Sequence, residues 1–188
     1  MFIKDGKPFT LTNGMVVGDV QLVLPVSPER LAELGITEVP DPVRPDDRFY
    51  WVTQNEDGTY TATPKDRSVT DGLVWGQIKA RRDQCKAGGV KVKVGTVNKW
   101  FHSDVASRIQ QMGLVMTGAS IPANLQWKAL DGSFVTMTQA VAQSVFAAAA
   151  ASDQAIFAVA EGHRAALAAC EDPAVYDYST GWPAIFGE

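Results

Sequence analysis

From Met137 to Cys170 the chain contains no proline, one glycine and a run of five alanines, Ala147–Ala151. Alanine gives up no side-chain entropy on entering a helix, so this segment predicts a long helix more strongly than any other part of the sequence. Thr136, with Gln139 three residues on, predicts a capping box at its start. Unbroken, the helix measures about 51 Å at 1.5 Å per residue, more than a small domain needs for its own core. A break near Ser152-Asp153, folding the segment into an antiparallel helical hairpin, is the competing reading. In a chain of 188 residues, 46% apolar and 20% charged, such a rod leaves room for one domain or two small ones and excludes a large multidomain enzyme.

Towards the N-terminus of this rod, a helical period starts at Asp71. Leu73, Trp75, Ile78, Arg82 and Cys85 mark one side of a helix that carries Lys79, Arg81 and Lys86 elsewhere, and Gly88-Gly89 ends it. Val90, Val92 and Val94 alternate with Lys91 and Lys93, the pattern of a half-buried strand, and Gly95-Thr96 turns it back into Val97–Phe101. Ser103 or Asp104 caps a further helix, whose apolar residues Val105, Ile109, Met112 and Met116 recur three to four apart. Leu125–Ala129 and Ser133–Val135 flank the turn pair Asp131-Gly132 and predict a second hairpin. The tail, from Tyr176-Asp177-Tyr178 to Trp182 and Phe186, is aromatic and apolar, which predicts docking on the same chain or on a neighbour.

The first 64 residues read differently, as short strands between turns. Asp5-Gly6 and Asn13-Gly14 suit turns with positive φ, and Val20–Leu24 is a strand ended by Pro25. Ser27, Pro28 and Glu29 open a short helix with apolar Leu31 and Leu34, which Gly35 closes. Pro40, Pro42 and Pro45 make a stiff connector, and Phe49–Thr53 and Thr59–Thr63 form a hairpin around Asn55-Glu56-Asp57-Gly58. The expected fold is therefore α+β. It comprises a β-rich module with one short helix (1–64), a polar linker (65–70), and a mainly helical domain with two β-hairpins and the long Ala-rich helix (71–188).

A formal net charge of −4 hides an uneven distribution. Residues 1–70 carry 7 basic and 11 acidic groups, residues 71–101 carry 7 and 2, and residues 102–188 carry 3 and 8. The basic middle, with Trp100 and Phe101, suits nucleic acid. A solvated helix face and a lysine-guarded edge strand explain the same residues, and the acidic pI of about 5.2 favours an acidic protein partner or the acidic C-terminal helix of a second copy. No window approaches a membrane span, and Met1–Gly6 has no basic-then-apolar leader layout, so the chain is expected in a cytosol or in an assembly built there.

Material for catalysis is scarce. Cys85 and Cys170 offer no paired metal spacing and read as small buried hydrophobes. The two histidines, His102 and His163, stand in no ligand or nucleophile pattern: His102 lies beside a helix cap and His163 reads as a surface or interface residue. Asp46-Asp47 and Glu56-Asp57 are adjacent acids, as a hydrolase would need, yet turn chemistry accounts for them. Gly88-Gly89 follows a helix instead of opening one, unlike a phosphate cradle. No catalytic residue, metal ligand or cofactor is expected.

One set of motifs has a recognisable order: Trp75-x-x-Ile78-Lys79-x-x-Arg82, Gly88-Gly89-Val90, Trp100-Phe101-His102-Ser103-Asp104-x-x-Ser107-Arg108-Ile109-Gln110, Ile121-Pro122-Ala123, Gln126-Trp127-Lys128 and Asp131-Gly132-Ser133, then the Ala-rich helix. Over residues 71–188 this resembles a domain of unknown function that recurs in tail-fibre and tail-associated proteins of tailed bacteriophages and prophages. The first half, with Leu31-Ala32-x-Leu34-Gly35-Ile36 and Asp46-Asp47-Arg48-Phe49-Tyr50-Trp51-Val52 before Asp57-Gly58-x-Tyr60, looks like small leader modules of tail-fibre and fibre-assembly proteins.

The resemblance implies a non-enzymatic structural protein of a phage tail, an adaptor or attachment component beside the fibre or baseplate. Such a protein resides in the virion tail after assembly in the host bacterial cytoplasm, and its partners are tail-fibre or baseplate proteins, with neither membrane nor nucleic acid among them. A tail-fibre assembly chaperone absent from the mature virion is the alternative. A homo-oligomer, with a trimer matching fibre symmetry, would use a small-residue seam of Val141, Val145, Ala148, Ser152, Ala155 and Val159. The candidate interaction residues are Trp75, Arg82, Trp100, Phe101, Arg108, Trp127, Trp182 and Phe186. For Arg108 the sequence also offers a structural ion pair with Asp104, four residues earlier.

Overall fold

Asp5 and Gly6, at φ 51° and 75°, reverse the chain between β1 (Phe2–Lys4) and β2 (Lys7–Phe9). The computed structural model describes all residues, Met1–Glu188, and the chain divides into two compact units, Met1–Thr70 and Asp71–Glu188. The architecture is α+β. In the first unit, β3 (Val16–Val17) pairs with β4 (Val20–Gln21), and α1 (Pro28–Glu33) follows. The strand expected over Val20–Leu24 is regular over Val20–Gln21 only; Leu22 still bonds Gly14 and Met15 through its backbone, and the Leu24 amide donates to the Asn13 side chain (3.0 Å).

Ser27 caps α1 by accepting from the Arg30 amide, and Gly35 at φ 69° turns the chain into β5 (Ile36–Glu38). That strand was not anticipated. It joins the other edge of β1, so that Phe2 lies opposite both Phe9 and Glu38 in an antiparallel sheet ordered β2-β1-β5. Val17, Leu22, Leu31 and Ile36 form the buried core beneath. The hairpin of β6 (Tyr50–Gln54) and β7 (Tyr60–Pro64) turns through Gly58 at φ 82°, with Asp57 accepting from the Thr59 amide.

Residues 65–70, expected to be a linker, are helical from Arg67 onward. Nothing between Pro64 and Gly72 interrupts a helix, and Thr70 is buried, its hydroxyl donating to the Arg67 carbonyl. The resulting α2 (Arg67–Ala87) buries Thr70, Val74, Ile78 and Cys85, so the stripe passes through Val74 while Leu73 lies on the exposed side. In the second unit β8 (Val90–Val94) and β9 (Val97–Phe101) form the first hairpin. Helix α3 (Val105–Thr117) is followed by the second hairpin, β10 (Gln126–Lys128) with β11 (Phe134–Thr136).

Helix α4 (Gln139–Ala169) is continuous for 31 residues, about 46 Å, with no break at Ser152-Asp153. Its cap is Thr138, which accepts from the Val141 amide; Thr136 is held in β11 opposite Gln126 and is not free to cap. Two cores explain the length. The first half packs Ala142, Val145 and Ala149 against Val90, Val92, Phe101, Val135 and Met137 of the hairpins. The second half places Ile156 against Cys85 of α2 and Ile185 of the tail, with Trp182 alongside. The proposed oligomer seam is largely spent in this packing: Val145 is buried, Val141, Ala148, Ser152 and Val159 are half-buried, and only Ala155 is exposed.

The tail docks on its own chain. The Phe186 amide donates to the Gly88 carbonyl (2.9 Å), Trp182 Nε1 to the Tyr178 carbonyl (2.8 Å), and Arg81 meets the Glu188 carboxylate (2.7 Å).

Gly89 has φ +94°, and a Cβ there would strike the Leu130 side chain and lie 3.2 Å from the Phe101 carbonyl; Gly132, at φ +81°, has open space. Replacement by alanine at Gly132 is expected to cost about 1 kcal/mol for the backbone alone, and at Gly89 about 2–3 kcal/mol because overpacking adds to it. Urea unfolding of the two variants measures the difference.

Candidate functional site

Four elements of the second unit end or meet around one guanidinium. Arg108, on the first turn of α3, donates from Nη1 and Nη2 to the two carboxylate oxygens of Asp153 in α4, from Nη2 to the Lys86 carbonyl at the end of α2 (3.0 Å), and from Nε to the Ser103 carbonyl. A bidentate Arg–carboxylate pair fixes orientation as well as adding energy, and a cation at the end of α2 also suits the negative end of its dipole. Ser103, almost fully buried, completes the junction. Its hydroxyl donates to the same Lys86 carbonyl (2.6 Å) and accepts from the Gly89 amide (2.8 Å). The expected pairing of Arg108 with Asp104 does not occur, because Asp104 is committed as the N-cap of α3, accepting from the amide and hydroxyl of Ser107.

A cleft of about 320 Å³ opens beside this junction, lined by Asp83, Lys86, Ser103, Asp104, Val105 and Arg108 among others. Its two carboxyls are both held below the usual carboxylate range, Asp83 chiefly by its hydrogen bond from Arg82 and Asp104 chiefly by that from Ser107. A general acid near neutral pH needs the opposite shift. Arg108 spends its guanidinium on four protein acceptors, so the cleft presents fixed, occupied charges. In the first unit, Asp46 is likewise lowered by Arg48, and Asp57 by the hydroxyl and amide of Thr59. Burial pushes the Cys85 thiol up, consistent with a packed hydrophobe. No group of three or more His, Cys, Asp or Glu side chains is placed to share a metal ion, and no helix is long and apolar enough to cross a membrane.

Along α2 and α4 a second feature runs outward, a ladder of cations over aromatic rings. Lys79 (5.9 Å) and Arg164 (5.2 Å) stand over Trp75, while Arg82 (5.3 Å) and Lys86 (5.1 Å) stand over Phe157. Cation–π contacts of this kind hold charge near an apolar surface without neutralising it. Three further cations of the basic middle meet the chain's own acids or rings: Arg81 with Glu188, Lys99 with Asp131 (2.9 Å), and Lys91 over Trp100. Arg81 and Lys99 thus meet acids of the C-terminal flank within one copy.

Of the candidate residues, Trp75 and Arg82 lie in this ladder, where the structure adds Phe157, Arg164, Lys79 and Lys86. Trp100 and Phe186 meet edge to face at 6.1 Å. Phe101 is fully buried in the hairpin core and therefore cannot contact a partner, a correction dictated by the alternation of β9. Trp127 sits half-buried beside a groove it shares with His102, Ser107, Gln110, Gln126 and Lys128. Trp182 packs against the Cys85–Ile156–Ile185 cluster and stacks at 5.5 Å on His163. His163, expected to be a surface or interface residue, is half-buried and clamps the tail. The Thr180 carbonyl can only accept, so Nε2 carries the proton and Nδ1 accepts from Tyr176 (both 2.9 Å).

The face that the sequence order conceals is that of α3. Val105, Ile109, Met112 and Met116 announce the helix through their spacing, yet the structure leaves all four exposed and turns Arg108 and the buried Gln111 inward.

Residues 70–180 match the family described as a domain of unknown function, DUF4376. No curated protein and no solved structure matches the chain.

Two outcomes follow from the junction and its hairpin. Arg108→Ala leaves the Asp153 carboxylate and the Ser103 carbonyl without their guanidinium donor, the Lys86 carbonyl keeping the Ser103 hydroxyl, and is expected to cost about 2–4 kcal/mol, against about 1–2 for Asp153→Asn, whose amide oxygen still accepts; guanidinium unfolding compares them. Asp131, which accepts from Ser133 and Lys99, is held far below its ordinary range. A carboxyl depressed on folding stabilises the fold above its unfolded pKa and loses that contribution as pH falls towards the folded one. The melting temperature is therefore expected to drop between about pH 4 and 2, and less steeply in Asp131→Asn.

Proposed function

We propose that this chain, which belongs to the DUF4376 family, is a non-enzymatic structural component of a bacteriophage tail, a fibre- or baseplate-associated adaptor or attachment protein. The observation that carries the reading is how the ionisable groups of the second unit are used. Arg108 with Asp153 and Lys99 with Asp131 hold one element to another, Asp104 caps α3, and the carboxyls beside the cleft at this junction are kept in their charged form by their own neighbours. Residues committed in this way make a rigid mount. The motifs from Trp75 to Ser133 that resemble tail-associated proteins fall largely on this mount, including the capped start of α3 and both hairpins.

What the surface offers is contact area. The ladder of Trp75, Phe157, Lys79, Arg82, Lys86 and Arg164 combines aromatic surface with cations, of which Arg82 and Arg164 also pair with Asp83 and Glu161 while Lys79 and Lys86 are held over the rings, a combination suited to an acidic protein face. Tail-fibre or baseplate proteins are the proposed partners, and the virion tail is the proposed location, reached after assembly in the host bacterial cytoplasm.

Quantitative mass spectrometry of purified particles tests this. A virion component is expected at a fixed, stoichiometric ratio to the other tail proteins. Recovery from assembly intermediates alone, with none in finished particles, would replace the proposal by an assembly chaperone.

A further inference from the structure

Helix α3 displays an apolar seam to solvent. Val105, Ile109, Met112 and Met116 follow one another at intervals of four, three and four residues, the a/d spacing that keeps one line facing a partner helix. Their exposures are 76%, 61%, 46% and 82%. On side chains of this size, that leaves on the order of 500 Å² of apolar surface in one stripe, within the range that marks an interaction site on a monomer.

We infer that this seam is an isologous interface at which α3 packs antiparallel against α3 of a second copy, making the chain a two-fold dimer. The pattern is its own complement. A two-fold axis midway between Gln110 and Gln111 sets Val105 against the partner's Met116 and Ile109 against the partner's Met112, so each contact joins a branched residue to a flexible methionine. The seam carries no charge, since Arg108 is the only charged residue of α3 and it turns inward to Asp153. Two identical stripes therefore meet without like-charge opposition, and nothing on the stripe selects a charged partner.

Antiparallel pairing also places the positive end of each helix dipole beside the negative end of the other, whereas parallel pairing would bring the two Asp104 carboxylates together. Gly113 and Ala106 flank the seam on its exposed side, and Gly113 has open space around it, so the helices can approach closely. Facing stripes would bury about 1,000 Å² in total, the lower bound for a specific interface. The inference is independent of the tail assignment.

Sedimentation equilibrium of the full chain tests it. The expected species has twice the 20.3 kDa chain mass, and Ile109→Glu is expected to weaken its association at least tenfold. Met116→Lys, at the most exposed position, gives a second reading should the first variant lose its circular dichroism spectrum. Mixing Val105→Cys with Met116→Cys protein is expected to yield an intermolecular 105–116 disulfide on mild oxidation, mapped by mass spectrometry. Val105→Cys alone is not expected to link through position 105. A wild-type chain that stays monomeric into the high micromolar range, a trimer, or association unchanged in both folded charge variants overturns the inference.

Discussion

The pairing of Arg108 with Asp153 organises the second unit. Its two residues lie on separate helices, and the same guanidinium holds the Lys86 carbonyl at the end of α2 and the Ser103 carbonyl two residues beyond β9. Removing a donor from this point would strand several acceptors at once, which is why one side chain can set the relative placement of four elements. Ser103 works in the same place with one hydroxyl, joining the end of α2 to the start of the first hairpin. The hydrophobic cores supply most of the driving force for folding. They are non-directional, and the junction supplies the direction.

Much of this was legible in the sequence. Turns built on Asp5-Gly6, Gly58, Gly95 and Asp131-Gly132 appear where dipeptide chemistry put them, as do the caps of α1 and α3, because these depend on neighbours a few residues apart. Elements that depend on distant partners were less visible. Strand β5 owes its existence to the free edge of β1, thirty residues earlier in the chain. The partner of Arg108 lies 45 residues away, and a nearer acid of the right spacing, Asp104, was the natural candidate until its role as a cap is seen. Asp153 also shows why α4 does not break: its side chain is engaged by Arg108 and does not compete for the backbone.

Periodicity reports a helix without reporting which face is inside. On α2 the true stripe runs through Val74 in place of Leu73, a shift of one position that the neighbouring apolar residues mask. On α3 the most regular apolar line is the outer one, and the inner face contains an arginine and a glutamine. Polar residues can occupy an inner face when partners are provided, and here the Gln111 amide nitrogen donates to the His102 carbonyl while its Oε1 is left without a partner. Charge counts had the same limitation. They showed a basic middle and acidic flanks, while the three-dimensional arrangement shows ion pairs and cation–π contacts closing between them.

The cluster of Cys85, Ile156 and Ile185 has a temporal side. Cys85 leaves the ribosome roughly 100 residues before Ile185, which at about 5–20 residues per second means that this side chain waits for about 5–20 s before its cover is complete. Contacts so far apart in sequence also raise the contact order and slow the final closure. During synthesis, then, the β8–β9 hairpin and the first half of α4 can gather early, while the closure over Cys85 comes last.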